Sequence, residues 1–417
     1  MWCLPMDIRR TLVLPVALVL IVSGCGTVPV TPLPSAHSTT PASATPSLSA
    51  STASGAWLAV DLAQPSIVTV APSLEPGYRC SPCHAPAVGQ LFGVGPSPGG
   101  LIAVGVEQPP TQAIALSSTD GTHWIPLPGF SGASGTSAIA EASNGTRAVI
   151  VGLDRSGATA WASDGGAWTQ APRQADLMVP YAAGAMTSVT AFDDGFIAGG
   201  YRDDPLHARV SAAVWRSSDG LAWNADGGSG VFGGGRIWGV VARAGTVVAV
   251  GTSGDPNYGP AAVWRWTEAT GWQRGSIAPN AAGAMLAVAV TPSAFVAVGV
   301  NGHDDGALTW SSTDGLSWTA APDQPAFHYA RMPIRMQSVV AGPAGLVAGG
   351  WRSDAGNGSA VTWTSADGAT WSGPVWEPSF SGAQVTGLAV SSGGLVAVGR
   401  TGYPDNNQAS IWVSGAP

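Results

Sequence analysis

The sequence contains no lysine; all 17 of its basic residues are arginine. Charge of either sign is scarce, 10% of 417 residues against about 25% in ordinary globular domains. The formal balance is −8, and the basic face by which nucleic acid is held has no support in the composition, so no nucleic-acid partner is expected. The same scarcity excludes coiled coils and charged disordered chains. Cysteine is limited to four residues, and glutamate to Glu75, Glu107, Glu141, Glu268 and Glu377. The longest apolar run at the start, residues 11–22, is shorter than the roughly 20 residues that cross a bilayer as a helix. What is plentiful is glycine (57), proline (33) and tryptophan (18), a composition suited to many short strands joined by tight turns.

Arg9 and Arg10 precede that apolar run, and Val22-Ser23-Gly24-Cys25 follows it. The arrangement reads as an export signal over residues 1–24. Its end resembles a bacterial lipobox, which implies that Cys25 carries the lipid. Residues 25–54 are almost wholly Ser, Thr, Pro, Ala and Gly, cannot form a core, and read as a tether. The expectation is a chain anchored to the cell membrane by lipid alone, facing the extracytoplasmic side.

From there a phrase close to Leu-Val-Ala-Val-Gly recurs, ending at Gly105, Gly152, Gly200, Gly251, Gly299, Gly350 and Gly399, with spacings of 47 to 51 residues. A fixed period of this size marks a repeat architecture. Each copy contains a short apolar run, the Gly-ended run, an Ala-Val-Trp-like segment (Trp161, Trp215, Trp264, Trp310, Trp363, Trp412, with Leu116 in the first copy) and a segment opening on a second Trp (Trp124, Trp168, Trp223, Trp272, Trp318, Trp371). Four strands per copy describe a propeller blade. The expected fold is all-β, a seven-bladed β-propeller of four-stranded blades over residues 55–417. The last copy lacks its fourth strand, and Ser54-Gly55-Ala56-Trp57 supplies one at the other end, closing the ring. The paired Trp residues are expected to pack between blades rather than to form a sugar platform.

The last two segments of a copy are joined by Ser-x-Asp-Gly-x-x-Trp or a variant, as in Ser118 to Trp124, Ser312 to Trp318 and Ser365 to Trp371. This resembles the Asp-box of the BNR or sialidase-like propellers, shortened by one residue between Asp and Trp. Copy four departs from it, with Thr267-Glu268-Ala269-Thr270-Gly271-Trp272. The resemblance implies that Asp120, Asp164, Asp219, Asp314 and Asp367 hold turns far from any active site. It also implies what an enzyme of that family would need: an arginine cluster, a Tyr–Glu nucleophile pair and a further acid. Tyr329, Arg331, Arg352 and Glu377 are the best matches, but the Arg-Ile-Pro signature is absent. A non-catalytic branch is therefore the primary expectation and a glycoside hydrolase the alternative.

Loops between second and third strands, and those between blades, emerge on one propeller face, where function is expected. Candidate ligand-binding residues there are Tyr181, Arg202, Asp203, Tyr258, His303, Asp304, Tyr329, Arg331, Arg352, Trp376 and Tyr403, with Phe232, Phe327 and Phe380 as further loop aromatics. Aromatic and polar groups on one face suit an envelope protein or a carbohydrate. No loop has the ligand order of a calcium site, so no metal is expected. Gly233-Gly234-Gly235 reads as a turn rather than a phosphate cradle.

Trp57 to Trp124 spans 67 residues, which places an insertion at about 64–86 ahead of the first blade. It carries Cys80-Ser81-Pro82-Cys83-His84. A Cys80–Cys83 disulfide suits an oxidising compartment. The same run matches c-type haem attachment, with His84 as axial ligand, and this makes an electron-transfer protein a second alternative. No cofactor is expected under the primary reading, in which a monomeric propeller acts as a binding or scaffold module without catalysis.

Overall fold

A computed structural model of the protein describes residues 57–60, 88–178, 184–204, 209–227, 229–254, 259–279, 283–303, 305–354, 357–402 and 407–415. The export signal, the tether, Cys25, and the insertion with Cys80, Cys83 and His84 lie outside these residues, as do Tyr181, Tyr258, Asp304 and Tyr403. Among the described residues no helix is long and apolar enough to cross a membrane.

The strands form seven antiparallel sheets. Their innermost strands are Val88–Ser97, Ser137–Ser143, Gly184–Phe192, Gly235–Arg243, Gly283–Val290, Ile334–Gly342 and Ala383–Ser391, in blades one to seven. Each touches the innermost strands of both neighbours, and the seventh touches the first, so the sheets form a closed ring. Blades one to six each take all four principal strands from consecutive sequence. Blade five departs from the expected count: Ser276–Ala278 adds a fifth strand, parallel to the outer strand Ser317–Ala320.

The recurring glycine is explained by the innermost strand opposite it. Every innermost strand carries one β-bulge, at Phe92, Ile139, Thr187, Trp238, Leu286, Gln337 and Thr386. A Cβ added to the phrase-ending glycine would lie 1.8–2.0 Å from an innermost-strand carbonyl in all seven blades, as Gly350 would from Arg335. Only hydrogen fits in that space, and the phrase recurs because the bulge does.

Seven clusters of buried apolar side chains occupy the seven seams between blades. Trp161, Trp215, Trp264, Trp310, Trp363 and Trp412 are at most 1% exposed, which places the third-strand tryptophans inside these seams. The indole N–H of Trp215, Trp264, Trp363 and Trp412 donates to a carbonyl of the linker entering its blade, at 2.8–3.1 Å. The loop aromatics Phe232, Phe327 and Phe380 plug the same linkers and are at most 4% exposed. They are core, and the expectation that they take part in surface recognition is corrected.

The Ser-x-Asp-Gly turns share one network. In the fifth blade Gly315 N–H donates to Ser312 Oγ at 2.8 Å, Leu316 and Ser317 N–H donate to Asp314 Oδ1 at 2.8 Å, and the Trp318 indole donates to the Gly315 carbonyl at 3.0 Å. Asp120, Asp219 and Asp367 repeat it. The turn glycine has positive φ and lies against a valine of the preceding blade, Val248 in the case of Gly315. The carboxylates are therefore structural acceptors, as expected of turn residues.

Closure uses Trp57–Ala59, which pairs with the last strand from Trp412 to Ser414. Trp57 N–H donates to Glu377 Oε2 at 2.6 Å, Ser379 Oγ donates to the Trp57 carbonyl at 2.8 Å, and the indole lies 5.8 Å from the ring of Phe380. Trp57 is 6% exposed and its neighbour Leu58 65%. Trp57→Ala is expected to lower stability by about 3–5 kcal/mol, and Leu58→Ala to stay within about 0.5 kcal/mol. Urea unfolding of the two variants checks this; equal losses would show that the strand does not close the ring through the indole.

Candidate functional site at the channel mouth

The innermost strands enclose a channel of about 250 Å³, lined by all seven bulge residues. Each innermost strand starts, and each second strand ends, on the face that also bears the second-to-third loops and the linkers. Two residues per blade flank the channel mouth: the one before the bulge pair, and the one after the recurring glycine. Over blades one to seven these are Gln90/Val106, Ser137/Leu153, Ala185/Tyr201, Arg236/Thr252, Ala284/Val300, Arg335/Trp351 and Gln384/Arg400. None is acidic and three are arginine.

The arginines are held by aromatic faces and amides. Arg236 stacks on Tyr201 at 4.2 Å and on the bulge residue Trp238 at 5.6 Å. Arg335 stacks on Trp351 at 5.0 Å. Arg400 donates to Gln384 Oε1 at 2.9 Å and Gln90 Oε1 at 3.3 Å, and Gln384 donates onward to Gln337 Oε1 at 2.7 Å. A guanidinium fixed on a ring keeps its outer N–H groups pre-aimed, so less ordering entropy opposes binding. All of these side chains are half-buried.

Blade six extends this surface outward. Arg352 lies 4.0 Å from the ring centre of Tyr329 and 5.9 Å from that of Trp376, and ion-pairs with Asp354 at 3.2 Å. Tyr329 begins a tight turn in which Ala330 and Arg331 both have positive φ (46° and 61°), closed by Met332 N–H to the Tyr329 carbonyl at 2.7 Å. Two non-glycine residues in that region carry a backbone cost that packing must offset, a feature common where a side chain is held for use. The turn leaves Arg331 exposed. Trp376 is 42% exposed although it is the largest side-chain type, and the blade-six surface therefore ends on an open indole.

Of the sequence candidates, Tyr329, Arg352 and Trp376 are brought together, with Arg331 beside them in sequence. Arg202 stands apart on blade three, over Trp215 at 5.5 Å and donating to the Asp176 carbonyl. Asp203 lies in the same second strand, Gly195–Asp204. His303 is exposed in a turn where its N–H donates to Asn301 Oδ1 at 3.2 Å. Glu377, the candidate acid of the hydrolase alternative, is engaged by the backbone of the closing strand. Among the described residues no group of three or more His, Cys, Asp or Glu side chains is placed to hold a metal ion. Sequence reasoning missed Tyr201, Arg236, Trp238, Arg335, Trp351 and Arg400. The signal was available in part: the residue after the recurring glycine is Tyr201, Trp351 or Arg400 in three copies and smaller elsewhere.

Deeper in the channel lies Glu141. Its counterparts two residues after the bulge are Val94, Val189, Val240, Val288, Val339 and Leu388. Its carboxylate sits against Gly95 in the seam of blades one and two, in the space a Cβ on Gly95 would need (2.4 Å to Oε1). The positions matching Gly95 hold Ala142, Thr190, Val241, Ala289, Val340 and Ala389, so the acid and the missing side chain form a pair. Glu141 is half-buried by exposed area, and burial of its carboxyl pushes its pKa up to about 8. A carboxyl with a raised pKa therefore lies in the channel below the mouth.

No protein-family model matches this sequence, and no curated relative was found. Among solved structures the chain is similar to YCF48 bound to a D1 peptide, at 13% identity and TM-score 0.51, over 80% of this chain and 93% of that one. It is also similar to YjhT (10% identity, TM-score 0.44, 66% and 94% covered) and to the propeller domain of the Trilobed protease from Pyrococcus furiosus (8%, 0.46, 78% and 95%). These likenesses are of fold, and the class they share with this chain is the β-propeller.

Two opposite pH responses are expected. Backbone N–H donors hold the Asp367 carboxyl below its ordinary value, and outweigh burial at Asp219 and Asp314, so this stabilisation is present above about pH 4 and is lost as pH falls below it. Glu141 works the other way. Its proton is retained in the fold but released by the unfolded chain, so stability falls as pH rises from about 4.3, and the fall continues through about 8. Glu141→Gln is expected to remove most of the drop in melting temperature that this group causes between about pH 5 and about pH 8, measured by circular dichroism. An unchanged profile would show that the carboxyl is solvated.

Proposed function

We propose that the protein is an exported, lipid-anchored, non-catalytic binding propeller whose channel mouth receives an acidic segment of an envelope protein. One observation carries the reading. In a chain of net charge −8, the channel mouth concentrates Arg236, Arg335 and Arg400 with no acidic residue in its ring, each guanidinium pre-positioned by a ring or an amide. An arginine surface of this kind favours carboxylates, through paired, directional hydrogen bonds. Tyr201, Trp238 and Trp351 supply the stacking surface that such interfaces use as anchors. The blade-six group of Arg352, Tyr329 and Trp376 adds a further cation and two further rings on the same blade as Arg335 and Trp351, in keeping with a partner larger than a single sugar ring. YCF48, a fold neighbour, is described as bound to a peptide, which is in keeping with this use of the scaffold. Export and lipidation rest on residues 1–25, and the closing strand would then follow directly on the tether.

The reading is tested by crosslinking capture from native envelope, comparing the wild-type lipoprotein with an Arg335→Gln/Arg400→Gln variant of equal melting temperature. A protein partner captured by the wild type, released by salt, and bound on the order of tenfold or more weaker by the variant is the expected outcome. Equal capture by both proteins would overturn the mouth as the site. Loss of binding to an acidic glycan, in place of a protein, would replace the peptide with a carbohydrate. Turnover of a glycoside by the wild type would restore the hydrolase alternative.

A further inference from the structure

Five of the hairpins that join third to fourth strands carry Asp-Gly, and one of the five lacks the hydrogen-bond network of the rest. In blades one, three, five and six the turn reads Ser-x-Asp-Gly. There the glycine N–H donates to the serine Oγ at 2.8 Å. The two N–H groups after the glycine donate to the aspartate Oδ1 at 2.7–2.9 Å. The indole of the tryptophan that follows donates to the glycine carbonyl at 2.8–3.1 Å. A Cβ on the glycine would lie 2.5–3.0 Å from a valine methyl of the preceding blade.

Blade two is one residue shorter at this point. Ser163 and Asp164 are adjacent, in Ser163-Asp164-Gly165-Gly166-Ala167-Trp168. The shift removes the network link by link. Ser163 Oγ accepts the Gly165 N–H at 3.2 Å and donates to the Gly166 carbonyl at 3.0 Å. Among the described residues the Asp164 carboxylate has no hydrogen-bond or ion-pair partner, and the Trp168 indole does not donate to the turn. A Cβ on Gly165 would meet nothing within 4 Å, so this turn does not lean on blade one. Asp164, Gly165, Gly166 and Ala167 are all exposed.

Asp-Gly has a reaction of its own. The glycine nitrogen can attack the aspartyl Cγ, because glycine has no side chain to obstruct ring closure. The N–Cγ bond forms, the bond from Cγ to its hydroxyl oxygen breaks, and one water leaves with the amide proton, giving a cyclic imide. Water then adds at the former main-chain carbonyl, and the chain runs on through the side chain as an isoaspartyl link. One water is lost and one is gained, so composition and mass are unchanged. The carboxyl must turn toward that nitrogen, and it must be protonated for its hydroxyl to leave as water. In the four networked turns both conditions are opposed. Turning breaks two charge-assisted hydrogen bonds. The same donors hold the Asp120 and Asp367 carboxyls below their ordinary value.

We propose that Asp164, ahead of Gly165, is the residue at which this protein converts spontaneously to isoaspartate. The remaining Asp-Gly pairs are held for separate reasons. Asp226 is engaged by Arg216 and by the Trp272 indole, and Asp305 by the Asn301 amide at 2.7 Å. Gly195, which follows Asp194, is buried and paired with Phe192 in the sheet. The turn at Asp164 joins Gly157–Ser163 to Thr169–Gln170 on the face opposite the channel mouth, so the modification is independent of the proposed binding site.

The test ages the intact protein in mildly acidic buffer, digests it, and resolves aspartyl from isoaspartyl peptides by chromatography and fragment-ion mass spectrometry. Isoaspartate is expected to form at Asp164 on the order of tenfold or more faster than at Asp120, Asp219, Asp314 or Asp367, whose hydrogen bonds must break first. In urea-unfolded protein the five sites should react at similar rates, because only the fold separates them. A variant with threonine inserted between Ser163 and Asp164 regains the Ser-x-Asp-Gly spacing. It should bring the rate at this aspartate down to that of the other four. Equal rates at all five sites in the folded protein, or the same preference persisting in urea, would overturn the inference. So would an undiminished rate in the insertion variant at an unchanged melting temperature.

Discussion

The ring depends on one close approach, between the glycine that ends each recurring phrase and the innermost-strand carbonyl opposite it. The carbonyl is where it is because the innermost strand bulges there. A bulge adds a residue on one side of a pair and sharpens the local twist. Repeated in seven blades, it turns seven residues toward the axis and makes the channel wall from their side chains. The same contact leaves no choice at the glycine but full choice on either side of it. The residues before the bulge and after the glycine are therefore the positions where a mouth can be varied without touching the ring.

The seams depend on that spacing. With the innermost strands held close, the third-strand tryptophans reach the neighbouring blade, and their N–H groups are matched by linker carbonyls in four of the blades. Trp161 and Trp310 have no such partner, and the linker entering the Trp310 blade is the one that carries the additional parallel strand. Four of the Asp-Gly turns lean on the preceding blade, so each of those tight hairpins also serves a seam. A ring built this way has a single place where the chain does not enforce continuity, and there a strand of three residues closes it through Trp57 and Glu377.

Fold and site were legible to different degrees, for a physical reason. Blade number, strand order and closure could be read because they rest on local necessities that repeat: a glycine under a carbonyl, an Asp-Gly turn, a tryptophan at a seam. The rim group of Tyr329, Arg352 and Trp376 could be named because it lies on linkers and strand ends next to loops. The mouth could not, because Arg236 and Arg335 sit inside strands that read as core, and their neighbours across the sheet come from another part of the sequence. Phe232, Phe327 and Phe380 misled for the converse reason. Their segments connect blades, yet the rings turn inward. Glu141 needed the register of all seven innermost strands before it stood out as an acid in a row of aliphatic residues.

The absence of lysine acquires a structural sense at the mouth. A lysine ammonium on a flexible stem would be a mobile point charge, whereas a guanidinium can lie flat on Tyr201 or Trp351 and still present hydrogens outward. In an acidic protein, solvent-exposed cations would be partly neutralised by surrounding carboxylates and by salt. Half-buried cations are screened less by salt than fully exposed ones. An ionised Glu141 would add negative charge inside the channel, and burial against Gly95 pushes its pKa up to about 8, which opposes that ionisation. On the proposed reading, an acidic partner at the mouth would therefore meet the arginines with less opposition from Glu141 below about pH 8 than above it.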